Sequence, residues 1–361
     1  MKSILLTSTA LVAFAGAAAA DGHASVSHSL GGTLGYNNEV DGIGEDGFFW
    51  EGNLKTTATA ALDNGLTAGA YFEVTVAEDD GTASNDGGTD PLATSDFVLS
   101  LESDTASLFV GDTGTAATKR FVAAGDMESD AFTTGTDSAV LRGDVSFGGV
   151  DASLSYIIDD ANGEAEQLSF GAAATFGIAT LTAAYQEDTT FADGNGDFSA
   201  AEVMGVSAAV TVANATITLA YADNMTADTQ STGIKVSYPI GPVVATGYYV
   251  DEGDADANLG VNVAYTSGPI AASVDYQDDQ GVTKYKVEGS YDLGNGLTVL
   301  AGALNENEGD DVDYYAGATY DLGGGATATF VYAADEDGDQ GDEIGAGEYD
   351  PGVTVSVDFT F

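Results

Sequence analysis

The chain has 361 residues, of which 58 are Asp or Glu and 8 are Lys or Arg, giving a formal net charge of -50, and it contains no cysteine. Such acidity repels phosphate backbones and anionic headgroups, which argues against nucleic acid as a partner and suits a protein facing salty water or divalent cations. The missing thiols exclude a disulfide framework and a thiolate metal site.

Residues 1–20 have the form of a secretory signal peptide: Lys2 at the charged start, an apolar run over 4–15, and Ala18-Ala19-Ala20 as the small-residue cleavage site before Asp21. No later segment approaches the ~20 consecutive apolar residues of a membrane-spanning helix. An exported chain that enters a membrane must then do so as a closed barrel. No Pro-rich, Ser-rich or charged linker divides the remainder, so residues 21–361 are expected to form one unit. Removing Lys2 leaves Lys55, Lys119, Arg120, Arg142, Lys235, Lys284 and Lys286 as its cations.

Alternating segments begin at 25–36, 48–62 and 66–77, with Asp63-Asn64-Gly65 as a tight turn between the last two. Further short turns are expected at 103–105, 148–149, 177–178, 213–214, 239–242, 267–269, 294–296 and 323–325. They alternate with longer acidic connections near 37–47, 78–95, 112–137, 160–165, 186–199, 222–230, 252–256, 278–281, 306–310 and 335–351. This rhythm gives about twenty strands, an even number. Short turns on one side and long loops on the other are the layout of an outer-membrane barrel, and a soluble sandwich has no cause to sort its connections by length.

Aromatic placement agrees. Phe147, Phe176, Tyr238, Tyr265, Tyr291 and Tyr320 stand just before short turns, with Phe361 in the equivalent place. A second row, Tyr156, Tyr185, Tyr221, Tyr249, Tyr276 and Tyr332, precedes the acidic connections. Two such rows a strand length apart are the girdles expected at headgroup level. In the closing stretch Val353, Val355, Val357, Phe359 and Phe361 alternate with Thr354, Ser356, Asp358 and Thr360. Over 283–293, Tyr285, Val287, Tyr291 and Leu293 share one face, and Lys284, Lys286, Glu288, Ser290 and Asp292 share the other. The charged face cannot look at hydrocarbon, where Lys or Arg costs roughly 2 to 4 kcal/mol at the midplane, so it must look at water inside. The same parity turns Lys55, Arg142 and Lys235 inward. About sixteen or more strands enclose too wide a space for side chains to fill, which leaves an aqueous channel.

The leader MKSILLTSTALVAFAGAAAA, Val110-Gly111-Asp112, the run YYAGATYDLGGGA at 314–326 and the closing Phe361 resemble the outer-membrane porins of alphaproteobacteria, of the Rhodobacter type. The resemblance implies a Gram-negative outer-membrane location, a homotrimer, passive diffusion of ions and small hydrophilic solutes, and a third loop folded inward at about 112–137. It also implies that the terminal aromatic Phe361 helps the outer-membrane assembly machinery recognise the chain. Two features depart from that pattern. Such porins usually have sixteen strands, so the excess between 242 and 305 belongs either to a wider barrel or to loops. Their constriction walls are also richer in Arg than this chain.

The connection 112–137 combines Lys119, Arg120 and Phe121 with Asp112, Asp126, Glu128, Asp130 and Asp137. Loops longer than about 12 to 15 residues tend to be functional or disordered. On the functional reading its acids face Arg142 and Lys55, with Lys284 and Lys286 as further partners, across a transverse field that orders polar solutes. Asp193, Asn195 and Asp197 have the alternate spacing of a calcium loop. Phe198 stands in place of the usual glycine, however, and Glu202 closes at the wrong offset. The acidic run 335–343 offers a second Ca²⁺ or Mg²⁺ candidate, bridging lipopolysaccharide or neighbouring subunits. No cofactor is required by the channel reading.

Three other readings compete with the open channel. A hydrolytic barrel enzyme lacks Cys, and its two His, His23 and His28, lie near the processed terminus, so no His-assisted triad is available. A secreted calcium-dependent β adhesin would need a recurring GGxGxD repeat, and none recurs. A solute-specific outer-membrane channel remains the alternative, because selectivity depends on pore shape.

Overall fold

The computed structural model describes residues 24–38, 47–79, 93–134, 139–158, 165–190, 197–305, 312–334, 349 and 351–361. The signal peptide expected at 1–20 lies outside them. The first ten strands are β1 (Ala24–Asn37), β2 (Gly47–Ala61), β3 (Thr67–Asp79), β4 (Ala93–Glu102), β5 (Ala106–Gly111), β6 (Ala139–Phe147), β7 (Val150–Ile158), β8 (Ala165–Phe176), β9 (Ala179–Thr190) and β10 (Asp197–Val212). The second ten are β11 (Ala215–Asn224), β12 (Thr229–Ile240), β13 (Val243–Asp251), β14 (Asn258–Ser267), β15 (Ile270–Asp279), β16 (Val282–Gly294), β17 (Leu297–Asn305), β18 (Asp313–Gly323), β19 (Ala326–Ala334) and β20 (Gly352–Thr360).

Each strand pairs antiparallel with its neighbours in sequence, and β20 returns to β1 with Gly31 opposite Thr360 and Asn37 opposite Thr354. Leu30 and Phe361 exchange both backbone bonds, at 3.0 and 2.8 Å, and extend that seam. The sheet is therefore closed and has no edge strand, which is what lets a chain this rich in backbone donors cross lipid. The excess between 242 and 305 is wall: β13 to β17 all pair antiparallel with their neighbours, with one register shift between β16 and β17 at 292–294. The barrel is wider than sixteen strands, and side chains cannot fill it.

Alternation sets the two faces. On β16 Lys284 and Lys286 are buried, while Tyr285, Val287, Tyr291 and Leu293 are exposed. On β20 Thr354 and Ser356 are buried and Val355 is exposed. Polar residues therefore point into the barrel and apolar ones out of it, the inverse of a soluble sandwich. Both aromatic rows contribute to the outer face: Phe147, Phe176, Tyr291 and Tyr320 near the short turns, Tyr249, Tyr276 and Tyr332 at the opposite end.

The expected sorting of connections by length needs correction in three places. Strands β9 and β10 run well into 186–199, and β11 and β12 leave four residues of the expected loop 222–230 between them. Between β15 and β16 the long-loop side carries a two-residue turn, Gln280-Gly281, with φ of 49° and 94°. Positive φ at both central positions matches the twist of the flanking strands, and the Asp278 carboxylate accepts the Gly281 N–H at 2.9 Å. Acidic composition alone marks these stretches as loops, yet Gln186, Asp188 and Asp279 fit the inward rows of β9 and β15.

Candidate functional site

The segment between β5 and β6 lies against the polar face of the wall. After Gly111, the Asp112 carboxylate accepts the Phe97 N–H at 2.6 Å and turns the chain inward. A single short helix follows, α1 (Ala116–Arg120), capped by Thr115. Five residues cannot hold a helix in water alone. Here the wall supplies what is missing: Ala116 and Ala117 are fully buried, and their N–H groups donate to Ser155 Oγ on β7 and Ser169 Oγ on β8, each at 2.8 Å. Gly171 on β8 makes the approach possible, since a Cβ there would collide with the Ala116 carbonyl and the Arg120 side chain.

The helix ends on its two cations, and both reach Asp144 on β6. Lys119 Nζ lies 2.6 Å from Asp144 Oδ2 and Arg120 Nη2 lies 3.9 Å from Oδ1. Arg142, two residues before Asp144 on the same inward row, approaches it at 3.3 Å and donates to the Gly114 carbonyl. Ser153 Oγ donates to Asp144 Oδ1 at 2.6 Å and accepts from Arg120 Nε at 2.9 Å. The Phe109 ring stands under this group, 5.0 Å from the Arg142 guanidinium carbon and 5.6 Å from Lys119 Nζ. Three cations share one carboxylate, so this end of the segment keeps an excess of positive charge.

The segment then reaches along the wall. Phe121 packs on Phe132 with ring centroids 5.2 Å apart, and Ala124 and Met127 are buried among Ala220 and Ala222 on β11 and Val250 on β13. At the tip, Glu128–Asp130 form one 3-10 turn. The N–H groups of Glu128 and Ser129 donate to Glu252 Oε1 at 3.2 Å and Ser231 Oγ at 2.9 Å. Asn258 Nδ2 on β14 donates to the Asp126 carbonyl at 3.2 Å. The return leg is tied at Thr133, which donates from its N–H to Gln186 Oε1 at 2.8 Å.

The tip is acidic. Carboxylate oxygens of Asp126, Glu128 and Asp279 lie within 4.8 Å of one another, and Lys284 Nζ is 2.8 Å from Asp279. Burial, followed by the charges of Asp126, Glu252 and Glu128, pushes Asp130 up from its ordinary value to about 6. Burial also raises Glu252, against the opposing pull of its bonds from Ser231 and the Glu128 N–H.

The arrangement differs from the expected opposition. Arg142 stands at the cationic end of the segment, drawn there by Asp144, while the acids meet β12 to β15 near Lys284. Lys55 pairs with Glu73 at 3.1 Å and Lys286 with Glu288 at 3.5 Å, each on the wall itself. Asp193 and Asn195 lie outside the described residues, and Asp197 is described as the first backbone position of β10. Phe361 is exposed, its ring nearly parallel to that of Phe359. Sequence reasoning missed Asp144, Glu252 and Asp279. Asp144 was readable, because a residue two after Arg142 on a strand must share its face.

A family model described as Gram-negative porin matches residues 7–340. Among solved structures, a porin triple mutant from Rhodopseudomonas blastica is 16% identical with a TM-score of 0.44, and a second mutant of the same porin is 16% identical with a TM-score of 0.45. A chain studied for the asymmetric conductivity of engineered proteins is 17% identical with a TM-score of 0.44. Each match covers 94% of this chain and 100% of the other. A search of curated proteins finds no match. The family model spans nearly the whole chain, and the chain therefore belongs to the Gram-negative porins, multi-pass proteins of the outer membrane that form a water-filled channel for ions and small hydrophilic solutes.

Proposed function

We propose that the segment 112–134 is the constriction of this channel, and that its separated charges set a transverse field selecting weakly for cations. The observation that carries this reading is the polarity of the segment: Lys119 and Arg120 gather beside Arg142 on β6, while Asp126, Glu128 and Asp130 gather against β12 to β15. A polar solute crossing between them must align its dipole, and an apolar one gains nothing in return for lost hydration. Reversal potentials across a salt gradient in planar bilayers test it. The combined variant Asp126→Asn, Glu128→Gln, Asp130→Asn should lower cation preference, and an unchanged potential would reject the assignment.

The working unit is proposed to be a homotrimer. Thr56, Ala58, Ala60, Ala68 and Ala70 share the outer row of β2 and β3, and small side chains there would let a second wall approach closely. Heating series on SDS gels, with chemical cross-linking, should give a trimer band that collapses to monomer. Phe361 is the proposed signal for the assembly machinery, with lipopolysaccharide as the outer-leaflet neighbour. Catalysis is not part of this reading: the chain has no Cys, and His28 bonds Thr56 at 3.0 Å. Passive diffusion needs no cofactor. Ca²⁺ at Asp193, Asn195 and Asp197 is a further proposal, and a calorimetric titration without binding heat would dispose of it.

A further inference from the structure

The inward row carries an apolar patch away from the constriction segment. Leu304 on β17, Tyr315 on β18, and Val331 and Ala333 on β19 are all buried, with Leu300 packed beside them. All five occupy positions that alternate with the lipid-facing row, so the patch faces the lumen. Tyr349, from the connection between β19 and β20, lies over it with its ring centroid 4.9 Å from that of Tyr315 and the planes at 57°. The end of that connection is pinned, because Asn37 Nδ2 donates to the Pro351 carbonyl at 2.9 Å.

Beside the two rings is a cavity of about 350 Å³, lined in part by Ser273, Glu288, Ser290, Leu300, Tyr315 and Tyr349. Glu288 is the one charged residue among its described lining residues. Its carboxylate accepts from Ser273 Oγ at 2.8 Å and Tyr315 OH at 3.2 Å, and Lys286 Nζ stands 3.5 Å away.

We propose that this cavity is a binding subsite of the lumen for organic cations with an apolar, ring-bearing body, the aryl-alkyl ammonium class. The volume suits one small solute. Leu300 and the two tyrosine rings offer apolar contact, and ring faces attract a cation. Glu288 places negatively charged oxygens beside the rings, shared with Lys286, and the strongly acidic protein concentrates cations near the site. A polyhydroxylated solute fits less well, because Leu300 and the ring faces leave its many hydroxyls without hydrogen-bond partners. The inference deepens the channel reading and rests on it.

The test is current block in planar bilayers containing the purified full-length protein in KCl, with phenethylammonium, ethylammonium or glucose added. Phenethylammonium should reduce the current reversibly at concentrations where ethylammonium and glucose leave it unchanged. Tyr349→Ala and Glu288→Gln should each raise the half-blocking concentration about tenfold, equivalent to about 1.4 kcal/mol. Tyr349→Phe, which keeps the ring, should retain the block. A normal KCl current with equal effects of the two ammonium ions, or with wild-type block in Tyr349→Ala, overturns the subsite alone. Block by glucose instead would assign the cavity to sugars and likewise overturn it. No KCl current at all would overturn the channel reading and the subsite together.

Discussion

Asp144 is the residue on which the proposed constriction turns. Its carboxylate is nearly buried and receives Lys119, Arg120, Arg142 and the Ser153 hydroxyl. Removing one partner of such a group leaves uncompensated charge, at a cost of about 3 to 5 kcal/mol for a fully buried pair and less where water reaches Lys119. Asp144→Asn should therefore release the helical end of the segment, raising single-channel conductance and current noise while the barrel still assembles. Conductance equal to wild type would reject that role. Asp130 acts at the other end, and its titration has a definite sign. Its carboxyl sits above the ordinary 3.8, at about 6, so the seated segment is favoured at low pH, loses that advantage as pH rises from 3.8 through about 6, and gains nothing further above. Lowering pH from 7.5 to 5 should steady the current and reduce cation preference, and Asp130→Asn should flatten both responses. The alternation made Arg142, Lys284 and Lys286 readable as inward residues from the sequence. Which end of the segment each would meet was not readable, because that depends on register between a loop and strands far away in the chain.

At the scale of elements, α1 exists because the wall receives it. Two serine hydroxyls take its first N–H groups and Gly171 leaves the space, so the helix is a product of the barrel more than of its own five residues. Gly171→Val should push α1 off β8, widening the channel as measured by the largest sugar that still enters it, with little effect on barrel assembly. An unchanged size limit would mean that the helix shifts along the wall and keeps its seat. The strands themselves were largely legible, since a period of two survives wherever one face meets lipid and the other water. The exceptions have local causes. At Gln280-Gly281 the acidic residue just before the turn, Asp279, belongs to the inward row of β15 and pairs with Lys284 of β16, and composition could not separate it from a loop. The approach of Tyr349 to Tyr315 had no periodic signal, because the contact joins a connection to a strand.

For the molecule as a whole, twenty strands decide what the interior can be. A barrel of about eight strands is filled by its own side chains, whereas this one is not, and the segment 112–134 lies along its inner wall from β6 to β14. The chain as a whole is strongly acidic, so the proposed cation preference, measured at low ionic strength, should shrink as salt rises and screening shortens to ~8 Å at 0.15 M. A preference independent of salt would point to local sites in place of the overall field.

The pairing of β20 with β1 carries a consequence for biogenesis. The first strand to leave the ribosome waits for the last as its permanent neighbour, and until that arrival both β1 and β19 display unmet amides and carbonyls. Insertion is thus all-or-none with respect to synthesis: a chain shortened by residues 352–361 should yield no narrower pore, only material that clumps or is degraded in the periplasm.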